Sequence, residues 1–190
     1  MPLQTMSYSD FEKLLNGPNA KYYAGRWPYY KAAIEFVAGS SAESVLEVGP
    51  GLHTIVNGCD VLARPEDDYW GRPDRSSNRV ILHDATESPW PFDDKTYDLI
   101  VALQVWEHLD NKQSRAFREA MRVSRMAVLS LPYLWDCPKD NPNYPEHHMI
   151  DRELIGDWTL GVEPEAIAEV PRSGERLTQG PKIVYFWRFS

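Results

Sequence analysis

The chain is poor in cysteine and in cations, and it has no long apolar run. Two cysteines occur in 190 residues, Cys59 and Cys137, and they form neither a CxxC pair nor the even set of a disulfide framework. Disulfide staples and a thiolate metal cage are therefore not what holds this chain together, and a cytoplasmic setting is the expectation. The longest aliphatic stretch is LIVAL, 99–103, far below the roughly 18–20 apolar residues that span a bilayer. The opening MPLQTMSYSDFEKLL has no basic segment followed by an apolar one, so no secretory leader is expected. Twenty Lys and Arg stand against 28 Asp and Glu, a formal charge of −8. That balance speaks against a nucleic-acid partner, whose footprint needs clustered cations. The length suits a single domain.

What is present is an alternation of short apolar runs with helical or polar segments. Residues 10–16 read as a short helix and 21–39 as a second, with Pro28 near its start and Gly39 at its end. SVLEVG, GCDVLA, RVILHD, YDLIVALQ and MAVLSLPY read as buried strands. RPEDDYWGRPDRSSN, between the second and third, is polar and turn-rich. Between the fourth and fifth strands, Ala116, Phe117, Ala120, Met121 and Val123 recur at helical spacing. DRELIGDWTL reads as a short helix, and EAIAEV and KIVYFWRF as a closing antiparallel pair. The pattern is that of an α/β domain with a mostly parallel sheet, in which ligands sit beyond the carboxyl ends of the strands. Trp90 and Phe92 in SPWPF, and Trp187 and Phe189 on the last strand, read as packing residues, and His83 as facing out of its strand.

The first strand runs into VLEVGPG, residues 45–51. A dinucleotide loop needs G-x-G-x-x-G. Gly49 and Gly51 fill two of those places, and Thr54 stands in the third. Glu47 is more telling, because a carboxylate at the strand mouth repels a pyrophosphate and suits a ligand with positive charge. S-adenosylmethionine carries a sulfonium and an ammonium and no phosphate. The glycines let the backbone pass close to such a ligand.

VLEVGPG, NGCDVLA, HDATESPWPFDDKTYDLIVALQVWEHL and REAMRVSRMAVLSLPY, taken in order, resemble the successive motifs of class I S-adenosylmethionine-dependent methyltransferases over about residues 43–135. The resemblance implies a Rossmann-like, mostly parallel seven-stranded sheet flanked by helices, with the last strand antiparallel. It implies one domain over 1–190, with a helical lid over 1–40 and the core over 43–190. Carried over position by position, Glu47, Gly49 and Gly51 line the methionine end of the cofactor, and Asp60 accepts from the ribose hydroxyls. Asp84, with the Ala85 backbone beside it, meets the adenine, and Gln104 sits under the sulfonium. Tyr22, Tyr23, Arg26 and Trp27 stand where this family places a lid, and of these Tyr23 and Arg26 are taken as cofactor contacts. Two departures accompany the match. Only eight residues separate Gly51 from Asp60, so the usual helix there is one turn or absent, and Glu66 or Asp67 are alternatives for the ribose. The Gly-Gly hairpin before the fifth strand is replaced by VSRMA.

His108, after Glu107, lies near the expected methyl acceptor, and His147 and His148 lie in a loop before a helix. His108 and His148 are the candidate general bases. His53, in the glycine turn, is within reach of the cofactor, and Tyr133 of the acceptor. The Glu107-His108 pair with a later histidine also resembles the divalent-ion element of plant-type small-RNA 2′-O-methyltransferases. Gln104 stands where another carboxylate belongs there, and no metal ligand is assigned. The expected activity is methyl transfer to a small or sugar-like acceptor at oxygen or nitrogen. The alternative is a catalytically silent relative that binds a partner. No membrane contact is expected, and completion of the pocket by a homodimer stays open.

Overall fold

The computed structural model describes residues 3–65, 79–136, 147–176 and 179–190. Helix α1 (Tyr8–Leu15) starts at a capping box, where the Ser7 hydroxyl accepts the Asp10 N–H and the Asp10 carboxylate reaches back to Ser7. The single helix expected over 21–39 is two helices, α2 (Ala20–Tyr23) and α3 (Trp27–Gly39). Gly25, at φ 78°, turns the chain between them. Pro28 then opens α3, where a missing N–H costs nothing.

Seven strands follow: β1 (Val45–Val48), β2 (Asp60–Ala63), β3 (Val80–Leu82), β4 (Tyr97–Leu103), β5 (Ser124–Pro132), β6 (Ala166–Val170) and β7 (Lys182–Arg188). They form one sheet in the order β3-β2-β1-β4-β5-β7-β6. The pairs from β3 to β5 are parallel, and β7 runs antiparallel to both β5 and β6. Helix α4 (Gln113–Val123) returns β4 to β5, and α5 (Arg152–Trp158) lies between β5 and β6. The Rossmann-like architecture is thus as the motifs imply.

Strand side chains alternate between the two faces of a sheet, and here each face has its own core. Leu46, Ile100, Leu129, Ile183 and Trp187 face α4, burying Ala116, Phe117, Ala120 and Val123 completely. Val45, Leu99, Val128, Val184 and Phe186 face the other way, onto Phe11, Tyr30, Ala33 and Val37 of the N-terminal helices. Residues 1–40 therefore include a structural layer, α3, besides any cover they give the site.

The connection from β1 to β2 holds no helix. In its place the N-terminal segment pairs with it: the Met6 N–H donates to the Ile55 carbonyl and the Asn57 N–H to that of Gln4, each at 2.8 Å. On the opposite face Trp90 is clamped, its N–H on Glu119 (2.7 Å) and its indole on the Ala85 carbonyl (3.1 Å). Arg122 holds Glu119 in turn (2.7 Å). This network fixes the turn after β3.

Candidate functional site

A cavity of about 710 Å³ opens beyond the carboxyl ends of β1 and β4. That is where the strand order reverses, the usual ligand position in an open α/β sheet. Gly49 (φ 57°) and Gly51 (φ 68°) line it. A Cβ at Gly49 would lie 3.2 Å from Val105, and one at Gly51 would lie 3.3 Å from the Tyr22 hydroxyl. Both positions favour glycine through their left-handed backbone, and a side chain there would also crowd its neighbour.

Glu47 lines the same end, but its carboxyl is sealed from solvent rather than open at a charged mouth (2% exposed). One oxygen accepts the Val56 N–H at 2.6 Å. Burial outweighs such hydrogen bonds and pushes the carboxyl up to about 8. A cationic ligand beside it would draw that proton off.

Several residues expected as contacts lie away from the cavity or have other partners. Asp60 is the first residue of β2 and sits opposite Leu46, so it lies at the far end of the strand from the cavity. Its carboxylate takes Arg79 (2.5 Å) and the Tyr97 hydroxyl (2.7 Å). The carboxyl end of β2 instead presents Ala63 and Arg64 to the cavity. Glu66 and Asp67 lie outside the described residues. The Asp84 carboxylate turns to the Thr86 N–H (2.8 Å) and to Arg64 (3.3 Å). Its neighbours His83 and Ala85 are the ones that face the cavity. His83 borders the cavity, with its Nε2 3.3 Å from the Glu87 carbonyl.

Among the lid residues, Tyr23 is core, edge-on to Phe11 and 1% exposed. Its neighbour Tyr22 lines the cavity together with Arg26 and Tyr30. Trp27 packs on Tyr8 and Phe11. Gln104 (φ 59°) lines the cavity floor, its amide donating to the Ser130 hydroxyl at 3.3 Å. His53 lines the glycine end, and Tyr133 packs against the core instead of lining the acceptor side.

At the opposite end, His108 and His147 line the cavity and His148 does not. Their Nε2 atoms stand 3.4 Å apart, each 3.9 Å from Glu107 Oε1. Burial pushes His147 down to about 3, so it is neutral at physiological pH. The ligand atoms of Glu107, His108 and His147 lie within 4.8 Å of one another, a spacing that could hold a metal ion. Trp135 and Lys182 complete this wall. Neither was singled out from sequence, because their approach depends on contacts far apart in the chain.

With this geometry in place, the comparisons decide the class. Residues 39–127 match the family described as methyltransferase domain. Over that span the chain carries a methyltransferase domain. The fold agrees with an S-adenosylmethionine-dependent methyltransferase from Thermotoga maritima, described as a possible histamine N-methyltransferase: TM-score 0.63, 14% identity, 97% of this chain and 100% of that one. The N-methyltransferase NodS from Bradyrhizobium japonicum, solved with S-adenosyl-L-homocysteine, gives 0.67 at 12% identity over 96% and 97%. The N-terminal domain of EvdMO1, solved in the presence of the same nucleoside and D-fucose, gives 0.55 at 15% over 86% and 83%. No curated protein matches. The methyltransferase's cofactor is S-adenosylmethionine, and the glycine cradle and the buried Glu47 suit its close-packed, cationic amino-acid end. No helix among the described residues is long and apolar enough to cross a membrane.

Proposed function

We propose that the methyltransferase acts on a small acceptor, a sugar or an amine, at oxygen or nitrogen. The observation that carries this is the two-ended cavity, with the glycine cradle and Glu47 at one end and Glu107, His108 and His147 at the other. The similar folds include one described as a possible histamine N-methyltransferase and one solved in the presence of D-fucose, which support it. The cofactor supplies an electrophilic methyl carbon. The protein's part is to hold an acceptor lone pair in line with it and to exclude water. His108, beside Glu107, is placed to take the proton an acceptor hydroxyl or ammonium releases, and His147, held neutral by burial, is placed to accept a hydrogen bond from the acceptor and orient it. His148 has neither role, because it does not line the cavity. In a second reading, favoured by the close approach of Glu107, His108 and His147, the same groups hold a divalent cation that orients the acceptor. Calorimetric titration with S-adenosylhomocysteine, then a labelled-methyl assay against hydroxyl and amine acceptors with and without chelator, tests these roles. Binding without turnover on any acceptor would favour the silent alternative. A twofold rise in mass on sedimentation would show the homodimer.

A further inference from the structure

Arg26 and Lys182 come from opposite ends of the chain and line one cavity. A latch brings them there. The Ala24 carbonyl accepts from Gln179 Nε2 (3.2 Å) and the Gly25 carbonyl from the Ser173 hydroxyl (2.8 Å). A Cβ on Gly25 would stand 2.7 Å from that hydroxyl, so the junction admits only glycine. From this latch the chain leads on one side to Arg26 and on the other, through Gly180 and Pro181, to Lys182.

Both cations are held in place. Arg26 lies over the Tyr22 ring at 3.8 Å. It donates to the Tyr22 carbonyl at 2.6 Å and to the Tyr29 hydroxyl at 2.7 Å. These partners are neutral, and no carboxylate pairs with Arg26 among the described residues. Lys182 is 4% exposed, donates to the Gly180 carbonyl at 2.7 Å, and lies 4.0 Å over the Trp135 ring. Trp135 is itself pinned by its indole N–H on the Pro181 carbonyl at 2.6 Å. A Cβ on Gly180 would press to 2.5 Å of that nitrogen. Burial, with the Arg26 charge next in effect, works against the charged form of Lys182, and the Glu107 carboxylate works for it. Two cations on the wall of one partly desolvated cavity favour an anion entering it, where charge-assisted hydrogen bonds are strong.

We propose that Arg26 and Lys182 bracket an oxyanion subsite for the methyl acceptor, which is therefore a small molecule bearing a carboxylate or phosphate near the atom methylated. This rests on the methyltransferase reading of the same cavity. The cofactor's own carboxylate has the same chemistry, so the test separates the two sources. S-adenosylhomocysteine and 5′-methylthioadenosine, which lacks the amino-acid portion, are titrated calorimetrically into wild type, Lys182→Met and Lys182→Arg. Inorganic phosphate and acetate are then titrated into each protein saturated with S-adenosylhomocysteine. The expected result is nucleoside affinity within twofold in all three proteins. Phosphate or acetate binds the wild-type and Lys182→Arg complexes and binds at least tenfold more weakly to Lys182→Met. The anion that binds tighter identifies the acceptor's group. Retained nucleoside binding shows that Lys182→Met is folded. The proposal is overturned if neither anion binds the wild-type complex. It is also overturned if Lys182→Met loses tenfold for S-adenosylhomocysteine but not for methylthioadenosine, because the oxyanion is then the cofactor's. Failure of wild type to bind S-adenosylhomocysteine at all would refute the cofactor site itself, a different outcome.

Discussion

Replacing Glu47 by Gln should stabilise the cofactor-free methyltransferase, and by more at pH 8 than at pH 6. Burial pushes this carboxyl from 4.5 up to about 8. Between those values the folded state holds a proton that the unfolded state has released. Stability therefore falls as pH rises through the window and levels off above it. Integrating the linkage relation from pH 6 to pH 8 gives a loss of about 2 kcal/mol from this group. Glutamine resembles the protonated acid: neutral, with an oxygen for the Val56 N–H. The variant's margin over wild type should widen by about 2 kcal/mol between pH 6 and pH 8, or about 4–8 °C in Tm for a chain of this size. Lys182, lowered by burial to about 7, has the opposite slope above pH 7, since its unfolded form keeps the proton longer. The wild-type curve alone is thus nearly flat there, and the variant-minus-wild-type difference is the quantity to measure. Urea unfolding at half-unit pH steps provides it. A second readout is proton release on binding S-adenosylmethionine at pH 7, measured calorimetrically in buffers of different ionisation enthalpy. Release in wild type and none in Glu47→Gln is expected. A flat difference curve, or a variant less stable at pH 8, would refute the assignment of a buried, proton-holding carboxyl at the strand mouth.

Three further outcomes are expected. Gly51→Ala forces a side chain into left-handed backbone and toward the Tyr22 hydroxyl. It should cost about 1 kcal/mol of stability and weaken S-adenosylhomocysteine at least tenfold by calorimetry. Asp60→Asn removes the charge that holds Arg79 and leaves a single amide oxygen for Arg79 and the Tyr97 hydroxyl to share, costing about 1 kcal/mol in urea unfolding. Its S-adenosylhomocysteine affinity should stay within twofold, and a large loss would return Asp60 to the ribose. His108→Ala should lower turnover at least a hundredfold with nucleoside binding intact, and His148→Ala should stay within threefold, in steady-state assays on whichever acceptor proves active.

How much of this was legible in the sequence depends on how local each cause is. The strand order follows from apolar runs and ordered motifs, and Gly49 and Gly51 were readable because a left-handed turn after a buried strand demands them. Asp60 shows where the reading slipped. Loss of the β1–β2 helix moved the motif, yet the strand's own polarity held the answer: Asp60 precedes the apolar VLA and so enters β2 at its start. Tyr22 and Tyr23 differ by one residue, and a continuous helix would have set their phase. Gly25 breaks that helix, so which ring reaches the cavity is decided by the docking of 24–25 on Ser173 and Gln179. The same docking sets Arg26 in the cavity wall that Lys182 shares, and nothing local to either cation encodes it. The acceptor end of the cavity is thus assembled from long-range contacts. The cofactor end is assembled from one turn, which is why the methyl donor could be read from the chain and the acceptor's charge could not.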